Sequence, residues 1–173
     1  NLADYQGIGT LLEAFALLRR RSGNARLLLV TDSELGAWEN NIRELGLGAA
    51  VEVVRSDFGT LPTHLDAADV LVNPRNDCDG IPQKLLNYMA AGKPIVSFRG
   101  SAPVLENERN GLVVPDGDVQ GFAAAIQRLL QAPDFARQLG AAARRDIEET
   151  YSWQGVAKHV ELVYTTTIDR KSH

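Results

Sequence analysis

The chain has 173 residues, of which 45% are hydrophobic and 23% are charged. This length and this mixture are typical of one soluble globular domain with a buried core. The net charge of −4 argues against nucleic acid as a partner, because sequence-independent binding depends on neutralising phosphates. The single cysteine excludes a disulfide framework and a cysteine-based zinc site, and a reducing compartment such as the cytoplasm fits it.

Two apolar patterns alternate along the chain, one at helical spacing and one of short continuous runs. In chain order they predict a helix over 9–21, a strand over 26–31, a helix over 35–46, a strand over 51–54, a short surface helix at His64, a strand over 69–74, a helix over 81–91, strands over 94–98 and 111–115, and helices over 119–131, 134–150 and 153–168. Continuous apolar strands indicate a sheet buried on both faces, and the alternation indicates parallel βαβ units. We therefore predict an α/β fold with a Rossmann-like, doubly wound parallel sheet.

Ligands of such sheets bind outside the carboxyl ends of the strands. The predicted ends are polar and rich in glycine, and they lie at 31–33, 55–57, 73–80, 99–101 and 115–117. We expect this edge of the sheet, rather than the opposite loops, to carry the functional site.

One helix start has the features of an anion site, in the stretch DGIPQKLLNYMAAGKPIV at 79–96. Pro82 suits a first helical turn, and Gly80 lets another group approach the backbone. The free N–H groups and the helix dipole then favour a phosphate or diphosphate. Lys84 adds a positive charge, and Asn87 can hydrogen-bond a hydroxyl group. The alternative is an ordinary capped helix with a solvated lysine.

This stretch also resembles a motif of the group 1, or family 4, GT-B nucleotide-sugar glycosyltransferases, which reads roughly E-x-F-G-x-x-x-x-E-A-M-A-x-G-x-P-V-V. Four further segments are similar to the C-terminal half of that family in the same order: GNARLLLVTD, HLDAADVLVNP, NERNGLVVPDGDVQGFAAAIQRLL and YSWQGVAKHVELVY. Each segment alone is weak, but their common order makes the resemblance specific.

The resemblance implies the second of two Rossmann-like domains that face a cleft. Residues 1–151 would form the nucleotide-sugar-binding domain, and residues 152–173 a C-terminal helix that packs toward an N-terminal domain missing from this sequence. Since the sequence opens without a methionine, we expect a fragment that is inactive alone. Peripheral membrane contact would come through the missing domain, because no apolar run approaches the ~20 residues that a membrane helix needs.

The implied reaction moves a sugar from a nucleotide-diphosphate donor to a glycan, lipid or small-molecule acceptor, with retention of configuration. The resemblance implies no metal and no other cofactor, although Asp77-Cys78-Asp79 spells the D-x-D metal motif of another glycosyltransferase fold. Asp79 would orient the sugar and Asn87 the ribose, and Arg55 and Ser56 are candidates for the base pocket. The diphosphate would lie on Gly80, Ile81, Pro82, Gln83 and Lys84. Asp79 and Lys84 are the candidate catalytic residues.

The sequence departs from the family pattern at three places. Asn87 stands where the family usually has a glutamate, and an amide binds hydroxyls less strongly than a carboxylate does. The arginine and lysine that usually hold the leaving diphosphate fall on Asn1 and Gln6. The usual G-G-x-P-E loop reads RGSAP at 99–103.

These departures leave two interpretations. Either the domain is a non-catalytic binding or scaffold module, or Arg75, Lys84 and Arg99, which lie on the same edge, supply the positive charges that Asn1 and Gln6 lack. We favour the second interpretation, in which the charges are relocated. A GT-B sugar-nucleotide epimerase is a further alternative, but the sequence offers no convincing acid and base for it.

Overall fold

The computed structural model describes residues 2–55 and 59–151. Its elements are α1 (Ile8–Arg21), β1 (Leu27–Val30), α2 (Trp38–Glu44), β2 (Val51–Val54), α3 (Leu61–Ala67), β3 (Leu71–Asn73), α4 (Gln83–Ala91), β4 (Ile95–Phe98), β5 (Leu112–Val114), α5 (Val119–Gln131) and α6 (Pro133–Thr150), with 3₁₀ turns at Asp4–Gln6 and Arg99–Ser101. The predicted elements up to residue 150 are confirmed, and their ends move by a few residues at most. The predicted helix over 153–168 and the proposed C-terminal segment 152–173 lie outside the described residues.

All strand pairings within the described residues are parallel, which confirms the α/β prediction. β1 pairs with β2, and β4 lies between β3 and β5. The register aligns Leu27 with Val51 in the first pair and Leu71 with Ile95 in the second. The carboxyl ends of β3, β4 and β5 therefore share one edge, as the sequence predicts.

The strands differ in burial. All four residues of β4 are buried, as expected for a central strand covered on both faces. In β2, by contrast, Glu52 and Val53 are exposed. The expectation that every strand is buried on both faces is therefore wrong for β2, because this strand has a neighbour on one side only within the described chain.

Local sequence explains where α5 begins. The carboxylate of Asp118 accepts a hydrogen bond from the backbone N–H of Gly121 at 2.8 Å, which caps the first turn. Phe122, Ile126 and Leu129 recur at helical spacing and are buried. The helix is thus positioned by its cap and held by one apolar face.

Two hydrophobic clusters cover the opposite faces of β4. The first contains Phe98 and joins β4 to α1, β1, β5 and α5, with the rings of Phe98 and Phe122 centred 4.6 Å apart. The second contains Ile95 and joins β4 to α4 and α6 through Met89 and Ala143. Because neighbouring residues of a strand point to opposite faces, β4 contributes side chains to both clusters.

Candidate functional site

The loops after β3, β4 and β5 meet at the carboxyl edge of the sheet. The backbone N–H of Gly100 donates to the carboxylate of Asp116 at 2.8 Å, and that of Gly117 donates to the side-chain oxygen of Asn76 at 3.0 Å. A Cβ on Gly100 would lie 1.9 Å from the carbonyl oxygen of Asn76, so only glycine fits this approach. These contacts join three loops into one polar rim.

A buried polar network lies directly beneath the rim. The side-chain amide of Asn73 donates to the hydroxyls of Ser97 at 2.9 Å and Ser101 at 2.8 Å, and all three residues are fully buried. The Ser101 hydroxyl in turn donates to the carbonyl oxygen of Arg75. The network fixes the start of the loop after β3. Sequence reasoning missed it, although one asparagine at the end of an apolar strand was the available signal.

Asn73 is also incompletely satisfied. Its side-chain oxygen is buried and, of all such side-chain atoms in the described residues, it alone has no hydrogen-bond partner. An unpaired buried acceptor costs free energy, so the position is maintained at some expense to stability.

The start of α4 is open, as the sequence predicts, but its details differ. Pro82 is the N-cap rather than a residue of the first turn, and no side chain caps the helix. Gly80 has a φ of +80°, which favours glycine, and the space beside its Cα is empty. Ile81 and Gln83 are exposed. The first N–H groups of α4 therefore point outward without a side-chain acceptor.

Lys84 is the half-buried cation of this helix start. Its ammonium donates to the side-chain oxygen of Gln6 at 2.7 Å. Burial, and secondarily the neighbouring charge of Arg75, lower the pKa of Lys84 from 10.5 to about 8. Gln6 is a position where the family pattern has a cation, so the amine of Lys84 lies next to the place where that charge is missing.

Arg75 is the second cation at this place. Its guanidinium lies over the ring of Tyr5, 4.9 Å from the ring centre, and its Nε donates to the carbonyl oxygen of Asp77. We call Arg75 and Lys84 the cation pair. The first 3₁₀ turn thus contacts both cations, Arg75 through Tyr5 and Lys84 through Gln6. It lies next to the loop after β3, which contains Arg75, although the two segments are far apart in sequence.

Gly7 allows these two segments to approach each other. Its φ is +72°, and a Cβ there would lie 2.0 Å from the carbonyl oxygen of Pro74. Any side chain at this position would push the first turn away from the cation pair, so a small, left-handed residue is required.

The structure brings some of the predicted site residues together and leaves others apart. Asn87 is half-buried and lines the same cavity as Lys84, so the two share a face of α4. Asp79 is exposed in the loop before α4. Arg55 and Arg99 are exposed as well, and within the described residues neither makes a hydrogen bond or ion pair with the cation pair. Ser56 and Asn1 lie outside the described residues.

In residues 2–55 and 59–151, no helix is long and apolar enough to cross a membrane. The same residues contain no group of three or more histidine, cysteine or acidic side chains arranged to hold a metal ion.

The chain is similar in sequence to known glycosyltransferases. The model of the family described as Glycosyl transferases group 1 matches residues 1–132. The chain is 35% identical, over 95% of its length and 41% of the relative, to the MMP alpha-(1->4)-mannosyltransferase of Mycolicibacterium hassiacum. It is 31% identical, over 90% of its length and 43% of the relative, to the GDP-mannose-dependent alpha-(1-6)-phosphatidylinositol monomannoside mannosyltransferase of Mycobacterium tuberculosis.

Among solved structures, the sucrose-phosphate synthase of Thermosynechococcus elongatus superimposes with a TM-score of 0.81 at 27% identity. The match covers 97% of this chain and 44% of that chain. The present chain thus spans about two fifths of the length of the curated relatives it matches.

Proposed function

This chain belongs to the glycosyl transferases group 1 family, and on that basis we propose that it forms the donor-binding part of a glycosyltransferase. The proposed reaction moves a hexose from a nucleotide-diphosphate sugar to a glycan, a lipid or a small-molecule acceptor. The opposite wall of the cleft would come from a separate N-terminal domain. The observation that carries the proposal is the cation pair beside the uncapped start of α4.

The cation pair suits the chemistry of the leaving group. When the bond between sugar and diphosphate breaks, negative charge develops on the diphosphate, and positioned cations and N–H groups stabilise it. Lys84 contributes a point charge and Arg75 a second one, while the first N–H groups of α4 contribute dipoles. The ammonium of Lys84 is partly withdrawn from water, which strengthens its interaction with an anion.

Two further residues complete the proposed donor site. The carboxylate of Asp79 is exposed beside the helix start and would accept hydrogen bonds from hydroxyls of the donor sugar. Asn87, on the same face as Lys84, would bind a ribose hydroxyl with one neutral acceptor. In this proposal the reaction proceeds with retention of configuration and without a metal ion.

The named relatives suggest which donor to test first. The relative from Mycobacterium tuberculosis is by name GDP-mannose-dependent, and that from Mycolicibacterium hassiacum is a mannosyltransferase. We therefore propose GDP-mannose as the first candidate donor for this chain.

A non-catalytic binding module remains the second candidate, because Gln6 stands where the family has a lysine. The contact of 2.7 Å between Lys84 and Gln6 weighs against it, since a cation reaches the same place from another element. The two candidates differ in whether the chain binds a nucleotide diphosphate through Lys84.

Isothermal titration calorimetry with GDP, GDP-mannose and UDP tests the proposal. We expect one nucleotide to bind, and Lys84→Met to weaken its binding by roughly tenfold or more, the loss expected for a hydrogen bond to a charged group. Arg137→Gln is the matched control, because it removes one exposed positive charge from α6. Lys84→Met should fold at least as well as the parent chain, since it removes a partly buried charge.

Binding that is unchanged in Lys84→Met would overturn the proposed site. A folded chain that binds none of the three nucleotides, also in the full-length protein, would favour the non-catalytic module.

A further inference from the structure

The first 3₁₀ turn, Asp4–Gln6, is built into the start of α1. The backbone N–H of Gly7 donates to the carbonyl oxygen of Asp4 at 3.0 Å, which closes the turn. Gly7 is also the N-cap of α1, and its carbonyl oxygen accepts from the N–H of Leu11 at 2.9 Å. The turn is therefore continuous with α1, whose apolar face is buried in the first hydrophobic cluster.

Two neighbouring residues of this turn contact different cations. The ring of Tyr5 lies against the guanidinium of Arg75, 4.9 Å from the ring centre. The side-chain oxygen of Gln6 accepts from the ammonium of Lys84 at 2.7 Å. Because a 3₁₀ helix has about three residues per turn, neighbouring side chains leave it in directions roughly 120° apart. One short turn thus determines where the two cations lie relative to each other.

The loop that carries Arg75 is fixed from the opposite side. The carbonyl oxygen of Arg75 accepts from the hydroxyl of Ser101, which is itself bonded to the buried amide of Asn73. The Nε of Arg75 donates to the carbonyl oxygen of Asp77. The backbone and one edge of the guanidinium are therefore held by the loop, and Tyr5 supports the face of the guanidinium.

Both contacts of the turn leave the positive charges uncompensated. A phenol ring and an amide are neutral, and in the part of the chain that the structure describes neither Arg75 nor Lys84 forms an ion pair with a carboxylate. A carboxylate at position 6 would hold the ammonium at least as firmly, but it would also act as its counter-ion. A neutral acceptor instead fixes the position of Lys84 and leaves its charge available to another anion.

We propose that Tyr5 and Gln6 are positioning residues, which hold Arg75 and Lys84 through neutral contacts so that both positive charges stay available to one bound diphosphate. This role rests on the donor site proposed above, because it states how that site is kept in shape. It differs from the family pattern, in which the same segment supplies an arginine and a lysine. Here the segment holds cations that come from the loop after β3 and from α4.

Gln6→Glu tests the role of Gln6, because it keeps the hydrogen bond to Lys84 and adds a counter-ion. In calorimetry of the full-length protein with GDP and UDP at pH 7, binding should weaken by roughly tenfold, since the carboxylate competes with the diphosphate. The same carboxylate favours the protonated form of Lys84, so the loss of affinity that begins near the pKa of about 8 should move to higher pH. Gln138→Glu is the matched control, because it adds one negative charge at an exposed position of α6, and it should change neither property.

Tyr5→Leu tests the second contact, because it removes the ring beside Arg75 and keeps an apolar side chain. Nucleotide binding should weaken by roughly threefold, as expected for an exposed cation–π contact. Arg75 and Cys78 are the titratable groups whose charge acts on Lys84. When Arg75 is released, the pH at which affinity falls should therefore rise, and a merely structural role of Tyr5 would not produce this shift. Tyr5→Phe keeps the ring and should behave like the parent.

The outcomes separate the positioning role from the donor site itself. If Lys84→Met weakens nucleotide binding but Gln6→Glu and Tyr5→Leu keep the parental affinity and pH dependence, the positioning role is overturned and the donor site stands. Equal weakening by Gln6→Glu and Gln138→Glu would be an effect of net charge and overturns the role of Gln6 as well. A folded full-length protein that binds neither nucleotide overturns the donor site, and the positioning role with it.

Discussion

The ammonium of Lys84 lies in an unfavourable place for a positive charge. It is partly buried, and Arg75 lies close enough to lower its pKa further, to about 8. Its hydrogen bond to Gln6 satisfies a donor but supplies no opposite charge. A bound anion would supply that charge. The protonated form of Lys84 should therefore be more stable in a complex than in the free protein.

This pKa leads to a prediction about pH. Below about pH 8 the amine is protonated, and above it the charge is lost. At pH 9 about a tenth of the free protein keeps the charge, so nucleotide-diphosphate affinity should fall by roughly tenfold between pH 7 and 9. Calorimetry across this range measures the effect.

Lys84→Arg provides the control, because arginine stays charged throughout. Its binding curve should be flat over the same range. A parallel decline in Lys84→Arg would mean that another group titrates.

At the scale of elements, α4 and α6 are held together by a contact between glycines. Gly140 of α6 is buried, and a Cβ there would lie 2.1 Å from the carbonyl oxygen of Gly92, the C-cap residue of α4. The atoms in the way are backbone atoms, which cannot rotate aside. The close approach of α6 therefore fixes the far end of the helix whose start carries the candidate site.

We predict that Gly140→Ala destabilises the chain, although alanine usually stabilises a helix interior by roughly 0.5–1 kcal/mol relative to glycine. Overpacking against the backbone should cost about 1–3 kcal/mol in the free energy of unfolding. Urea denaturation measures this. Gly48→Ala is the control, because a Cβ there meets nothing within 4 Å. A Gly140→Ala chain as stable as the parent would show that α4 and α6 separate easily.

At the scale of the whole molecule, β4 couples the two hydrophobic clusters. Val96 and Phe98 belong to one cluster and Ile95 to the other, so loosening either cluster disturbs the same strand. This arrangement favours one cooperative unfolding transition rather than two.

We therefore predict that Leu12→Ala and Met89→Ala, one in each cluster and both fully buried, move the same transition. Each should lower the free energy of unfolding by about 2–5 kcal/mol, because each leaves a cavity. Circular dichroism and tryptophan fluorescence, recorded during the same urea titration, should give coincident curves. Val53→Ala, at an exposed position, should have a small effect. Two separate transitions would contradict the coupling.

Much of the fold follows from short-range pattern. The helix over 119–131 and the strand over 51–54 have the predicted bounds, because apolar periodicity and caps act within a few residues. The shared face of Lys84 and Asn87 follows from helical spacing in the same way. The roles of Asp79, Arg55 and Arg99 in donor binding remain predictions.

The contacts that define the site could not be predicted, because they join residues far apart in sequence. Lys84 meets Gln6 across 78 positions, and Arg75 meets the ring of Tyr5. No local sequence pattern encodes a contact between residues so far apart along the chain. The lowered pKa of Lys84 is equally hidden from the sequence, because it depends on burial and on the charge of Arg75.

The sequence by itself determined the order of the elements, their parallel pairing and the edge on which polar loops meet, since these depend on hydrogen bonding and apolar spacing along the chain. Only the tertiary structure decided that the first turn contacts the start of α4 and that Asn73 is buried beneath the rim. Those features depend on how layers pack, which is a balance of contacts over the whole molecule.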